Sequence, residues 1–260
     1  MILPIMTKGL KKSFGQIAAL KGLNLQTLRG VSGFVGPNGA GKTTTINILL
    51  GLLKPDAGEA RIFDMDCWRD SFEIRRRIGV LHEKPTYPGN FQGKRYLEHV
   101  ADVYDISQPK QRVKEILGEV GLHEVGDRAI RTYSAGMTQR LGLAQALIGD
   151  PELVILDEPT ANLDPLGRIE IIEKIRELQT SRRIDFFVST HILPELEKIC
   201  DWVSIVKDGI IVDQGSVEHL ATKYSANTFK IEVSEPSLFV GKIQDSKVVD
   251  EVWVQGDSVY

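Results

Sequence analysis

The chain has 260 residues, 42% of them hydrophobic, with 32 basic and 35 acidic side chains for a net charge of −3. That length and apolar share suit one large α/β domain with a small appendage and exclude a disordered chain. The near-neutral balance gives no electrostatic reason to expect nucleic acid as a partner, and the acidic excess falls in residues 217–260.

The opening Met1-Ile2-Leu3-Pro4-Ile5-Met6 is too short and uncharged for a secretory signal. No uninterrupted apolar run is long enough to cross a bilayer, so no transmembrane segment of its own is expected. Cys67 and Cys200 stand in no metal or redox spacing and read as reduced, apolar residues of a cytosolic protein.

The first 30 residues read as a β-rich opening, with a turn at Lys12-Ser13-Phe14-Gly15 and a strand over 17–25. A strand at Val31-Ser32-Gly33-Phe34-Val35 then runs into Gly36-Pro37-Asn38-Gly39-Ala40-Gly41-Lys42-Thr43-Thr44. This stretch fits the phosphate-loop pattern G-x-x-x-x-G-K-[ST]. Triphosphate oxygens need several donors at once, and glycines let backbone N–H groups turn inward with no Cβ in the way. A helix beginning near Gly41 adds its unpaired N–H groups and the positive end of its dipole. Lys42 is then placed for the β/γ-phosphates and the Thr43 hydroxyl for Mg²⁺. Ile46, Leu49, Leu50 and Leu53 supply the helical spacing behind the loop.

Lys54-Pro55-Asp56-Ala57-Gly58 breaks the chain before a strand over 59–63, a charged helix over 71–77 and a strand over 78–81. Arg75-Arg76-Arg77 reads first as solvated helix surface. Residues 84–150 are expected to form an all-helical insertion. Its apolar faces are Tyr96, Leu97, Val100, Val103 and Tyr104; then Val113, Ile116, Leu117 and Val120, capped by Ser107 and stopped by Gly121; then Met137, Leu141, Ala144 and Ile148, beginning at Ser134.

Leu153-Val154-Ile155-Leu156 reads as a central parallel strand ending in Asp157-Glu158. Asp164 as cap and Pro165 at the first position mark the next helix, with Ile169, Ile172 and Ile175 on one face. A buried strand over 184–189, a helix over 193–200 and a hairpin turning at Asp208-Gly209 follow. After a helix over 217–224, residues 225–260 read as a small β-rich appendage, with strands over 228–233 and 251–254 around a helix. A further strand starts at Ser258-Val259, so the appendage is expected to be cut short.

The acidic pair narrows the chemistry. Asp157 is placed to hold Mg²⁺ at a strand end, and Glu158 to polarise the attacking water as a general base. Taken alone, Asp157-Glu158-Pro159-Thr160 also admits the reading of an acidic loop after a strand. Phe14 admits both core packing and adenine stacking. Ser134 admits a plain helix-capping role.

The chain resembles the ATP-binding cassette subunits of ABC transporters over residues 1 to about 220. Tyr133-Ser134-Ala135-Gly136-Met137, followed by Thr138-Gln139-Arg140, corresponds to the signature loop of that family. Ala161-Asn162-Leu163-Asp164 looks like its D-loop, Ser189-Thr190-His191 its switch histidine, and Phe14 its adenine-stacking aromatic. Glu83 stands where the family usually has Gln, which adds negative charge beside a triphosphate, while Ala135 and Met137 replace the usual Gly and Gln of the signature. These departures are similar to the exporter branch with separate permease chains.

The resemblance implies a P-loop NTPase fold: a mainly parallel core sheet, an N-terminal antiparallel β part and an inserted helical subdomain within a nucleotide-binding domain over 1–224. It implies ATP and Mg²⁺ as ligands, with Phe14, Gly36 to Thr44, Ser134, Gly136 and Asp164 at the nucleotide. Thr43, Asp157 and Glu83 fall at the metal, and Glu158 and His191 at the catalytic water. It further implies a second cassette, homo- or heterodimeric, whose Ser134 and Gly136 close over ATP held in the first. It implies, too, an integral membrane permease chain, with this chain peripheral on the cytoplasmic face of the membrane. The rivals are a soluble ABC-type ATPase acting in translation or DNA repair and a small-molecule or nucleotide kinase. No tandem cassette, coiled-coil insertion or zinc cysteines support the first, and the second has no use for a signature loop. No N-K-x-D motif supports a GTPase.

Overall fold

The computed structural model describes residues 3–224 and short pieces at 231–232, 239–240, 254–255 and 258–259. It divides into two compact units, Met1–Val217 and Glu218–Tyr260.

The first unit holds two sheets. The smaller is antiparallel in the order β2-β1-β4-β5, built from β1 (Ile5–Phe14), β2 (Ile17–Leu23), β4 (Ala57–Ile62) and β5 (Met65–Asp66). The larger has the order β10-β9-β3-β8-β7-β6. Its strands are β3 (Val31–Val35), β6 (Ile78–Leu81), β7 (Leu153–Asp157), β8 (Asp185–Thr190), β9 (Trp202–Lys207) and β10 (Ile210–Ser216). All its neighbours pair in parallel except β10, which returns antiparallel on β9. Every residue of β3, β7 and β8 is buried, as continuous apolar runs require in a sheet covered on both faces.

Helix α1 (Lys42–Leu49) lies between the sheets, and its Ile46, Ile48 and Leu49 join Ile5, Leu10, Leu23 and Ile62 of the small sheet and Phe34 and Phe187 of the large one in a single core. Phe34 and Phe187 stack across β3 and β8 with ring centroids 5.4 Å apart. Burying each such ring stabilises the fold by about 1.5–3 kcal/mol.

The helical insertion contains α3 (Gly93–Val103), α4 (Pro109–Glu119) and α5 (Ala135–Leu147), while α2 (Ser71–Arg77) leads into β6. Beyond β7 come α6 (Pro165–Arg182), the short α7 (Leu193–Leu196) and, after β10, α8 (Val217–Tyr224). Within the second unit, β13 (Ser258–Val259) pairs antiparallel with both β11 (Ile231–Glu232) and β12 (Val254–Gln255). The rest of the expected strands over 228–233 and 251–254, and most of the helix between them, lie outside the described residues.

Several expectations are corrected. Lys12, Ser13 and Phe14 are the end of β1 rather than a turn, which falls on Gly15 and Gln16. Ser107 does not cap α4; Gln108 occupies the cap position without a side-chain bond, and Pro109 opens the helix. Val103 and Tyr104 of the expected face of α3 are exposed, while Leu97 is buried as expected together with Ala101. Ile169 is likewise exposed, because the buried stripe of α6 runs through Ile171, Ile172, Ile175 and Leu178. The expected helix over 193–200 is only one turn long. The hairpin turn at Asp208-Gly209 is found as expected, with φ of 50° and 79°, the pair of positive values that a type I′ turn demands.

Candidate functional site

Four neighbouring parallel strands end on one edge of the large sheet, and each delivers one part of the site. The register sets Val35 beside Thr190, Asp157 beside Ser189, and Leu81 beside Leu156. The chain leaves β3 into Gly36, β6 towards Glu83, β7 at Asp157-Glu158 and β8 into His191. Ligands favour the carboxyl ends of such sheets. Here a cleft of about 350 Å³ is lined by Phe14, Asn38, Gly39, Gly41, Lys42, Thr43, Thr44, Glu83, Glu158, Ala161 and His191, with Ala19 at its wall.

The loop over Gly36–Gly41 follows from sterics. A Cβ on Gly36 would sit 2.2 Å from the Val206 carbonyl oxygen, and Gly41 has φ 104° with the Leu20 side chain 2.7 Å from any added Cβ. Helix α1 then starts with no capping side chain and no acidic residue in its first turn. Its leading N–H groups have no intrahelical partner, so they face the cleft as anion donors.

Lys42 is buried. Its Nζ donates to the carbonyl oxygens of Gly36 at 2.7 Å and Pro37 at 3.3 Å, and stands 3.2 Å from Glu158 Oε1. The other Glu158 oxygen lies 2.9 Å from His191 Nδ1. A carboxylate only accepts, so Nδ1 carries the proton in this pair. Glu158 itself adopts φ 51° and is tied through its N–H to the Ser189 carbonyl at 2.9 Å. A left-handed non-glycine residue persists only where its surroundings hold it.

Asp157 accepts from Ser189 Oγ at 2.6 Å and from Thr43 Oγ1 at 3.4 Å. Burial raises its pKa above the ordinary aspartate value; the Ser189 and Thr43 hydrogen bonds oppose the rise, and the Glu158 and Glu83 charges add to it. The Asp157 carboxyl therefore binds its proton more readily folded than unfolded. Its stabilising contribution is present below the ordinary aspartate range and is lost as pH rises through the raised value. Asp157→Asn is expected to raise the melting temperature at pH 7, with the gain shrinking as pH falls through the raised value into the ordinary aspartate range. Thermal melts across that range check it.

Among the described residues no cluster of three His, Cys, Asp or Glu side chains forms a metal site. Thr43 and Asp157 instead offer a hydroxyl and a carboxylate oxygen at the phosphate-loop edge, and Glu83 adds a second carboxylate on the cleft wall. Such a hard-oxygen set suits Mg²⁺ sharing its shell with phosphate oxygens. Phe14 is 52% exposed and lines the cleft, so it does not belong to the core.

The remaining expected residues are placed elsewhere. Ser134 caps α5 by accepting from Met137 N–H at 3.2 Å, and neither it nor Gly136 lines the cleft. Asp164 caps α6 through Gly167 N–H at 2.8 Å. Ser189 and Gln139 belong to the quoted motifs, but their contacts are not legible there: the hold of Ser189 on Asp157 depends on the pairing of β7 with β8, and Gln139 is buried and donates from Nε2 to the Pro159 carbonyl at 2.8 Å.

The ABC transporter family matches residues 20–161. The bacitracin transport ATP-binding protein BcrA of Bacillus licheniformis is 41% identical over 217 residues, which cover 83% of this chain and 71% of that protein. The daunorubicin resistance ATP-binding protein DrrA3 of Streptomyces coeruleorubidus is 34% identical, covering 89% of this chain and 74% of that protein. Among solved structures, cbiO1 from Clostridium perfringens, part of the ABC transporter complex cbiONQ, superimposes with a TM-score of 0.72 at 25% identity. That match covers 96% of this chain and all of cbiO1.

Proposed function

The chain belongs to the ABC transporter family as one of its ATP-binding cassettes, and from that premise we propose that it powers a membrane exporter through ATP-driven pairing of two cassettes. The observation that carries this reading is the convergence of Lys42, Thr43, Glu158 and His191 on one cleft with an exposed aromatic, Phe14, at its wall.

The geometry supports the following roles. Phe14 stacks on adenine, and the amides of Gly39 to Thr44 cradle the phosphates. Lys42 exchanges its carbonyl partners for β/γ-oxygens. Glu158 takes a proton from the attacking water, and His191, bonded to it, keeps the carboxylate aimed. Thr43, Asp157 and Glu83 would hold Mg²⁺, which when bound would supply positive charge to offset the charge developing on the phosphoryl oxygens. Phe14→Ala is expected to raise KM for ATP about tenfold with kcat unchanged, since stacking on a base contributes about 1–3 kcal/mol. Steady-state kinetics check it.

Ser134 and Gly136 sit away from this cleft, at the exposed start of α5. They are therefore free to close on nucleotide held by a second copy, an arrangement that is two-fold and self-complementary. Asp164 lies in the loop that meets its counterpart there. We place the nucleotide-binding domain over 1–224 with residues 84–150 inserted and the appendage over 225–260, whereas the compact units divide after Val217. No helix among the described residues is long and apolar enough to cross a membrane. In the proposed assembly a separate permease chain supplies the membrane part, with this chain on its cytoplasmic face. Export is favoured over import by Glu83, by the Tyr-Ser-Ala-Gly-Met signature and by relatives whose names tell of bacitracin transport and daunorubicin resistance. Affinity purification of the tagged chain from solubilised membranes tests the reading. A multi-span partner is expected; ribosomes or DNA in its place would overturn it.

A further inference from the structure

We propose that Gln139 is a positioning residue for hydrolysis, holding Glu158 on target by anchoring the next peptide to the signature helix α5. The proposal rests on the assignment of Glu158 as the base. Glu158 begins a tight turn in a left-handed conformation, with Ala161 N–H bonded to its carbonyl at 3.0 Å. On one side the turn is tied to β8 through Glu158 N–H and to α7 through Thr160 Oγ1, which donates to Glu195 Oε2 at 2.6 Å. On the other side the Gln139 amide reaches the buried Pro159 carbonyl.

The chemistry of that contact is one-way. A carbonyl can only accept, so the amide must present Nε2 and turn Oε1 away. Oε1 is then buried with no protein hydrogen-bond partner among the described residues. A methionine would fill the same space without that unpaired acceptor. The amide is thus kept at a cost, and the Pro159 carbonyl is the one group it serves. Gln139 lies on the same rigid helix that Ser134 caps, about 7.5 Å further along its axis. Any movement of the signature end is passed through Gln139 to the peptide beside Glu158.

The test uses the full chain with Gln139→Met and Gln139→Glu. For Gln139→Met, trinitrophenyl-ATP should bind within about twofold of the parent, and kcat should fall about 10- to 100-fold with KM nearly unchanged, as for other small misplacements of a reacting group. Gln139→Glu sets a carboxylate against a carbonyl and should be less active still at pH 8. It should recover relative to the parent as pH falls, because the protonated carboxyl donates to Pro159 as the amide does. Glu158→Gln is measured alongside: if it retains turnover, the assignment of the base fails. If Glu158→Gln is inactive while Gln139→Met matches the parent, or Gln139→Glu shows no relative recovery at low pH, the Gln139 proposal is overturned. Should Gln139→Met fail to fold, the pH profile of Gln139→Glu decides alone.

Discussion

Glu158→Gln is expected to keep ATP binding within about twofold while cutting kcat at least about 100-fold, the range seen when a general base is removed. The substitution preserves shape. The amide oxygen still accepts from Lys42, 3.2 Å away in the parent, and the loop remains tied through its N–H to Ser189. What disappears is the capacity to take a proton. Glu158 is suited to that task because Lys42 and His191 engage its two oxygens from opposite sides, fixing the carboxylate before water arrives. With hydrolysis stopped and binding intact, the ATP-joined pair should persist on size exclusion with MgATP and fall apart with MgADP. Normal turnover in this variant would remove Glu158 from the base role.

Lys42→Ala is expected to act on the other half of the reaction, lowering ATP affinity about 100-fold, because a charge-assisted contact to phosphate is among the strongest single hydrogen bonds available. The ammonium is already positioned, only 6% exposed and bonded to two loop carbonyls. Little ordering is therefore needed when phosphate replaces them. Calorimetric titration separates the two variants: the Lys42 change should abolish the binding heat that the Glu158 change leaves in place. An affinity within threefold of the parent would contradict the assignment of Lys42.

Much of this site is legible in the sequence, for identifiable reasons. Gly36 and Gly41 are needed because a Cβ would strike backbone or require a forbidden φ. Asp208-Gly209 announces a turn through its demand for two positive φ values, and β3 and β7 are readable because strands buried on both faces need no alternation. Other features resist. Strand β1 carries Gly9 at φ 55° and two register shifts against β2, which break the period of two. Exposure of Val103 and Ile169 is set by which neighbours the helices meet, and the local apolar spacing does not contain that. The bonds from Ser189 to Asp157 and from Gln139 to Pro159 span 32 and 20 residues, so they exist only once β8 lies beside β7 and α5 packs beneath the loop.

The central claim, that each ATP is held between the lysine loop of one copy and the serine turn of another, is tested most directly by mixing two inactive variants. Lys42→Ala lacks the loop, and Ser134→Arg blocks the turn with a side chain too large for close approach. Neither alone should hydrolyse ATP. In a mixed two-fold pair one site combines the intact loop of the second variant with the intact turn of the first, so equimolar mixing should restore about a quarter of the parental rate. A mixture as inactive as its components, or full activity in Ser134→Arg by itself, would contradict the account.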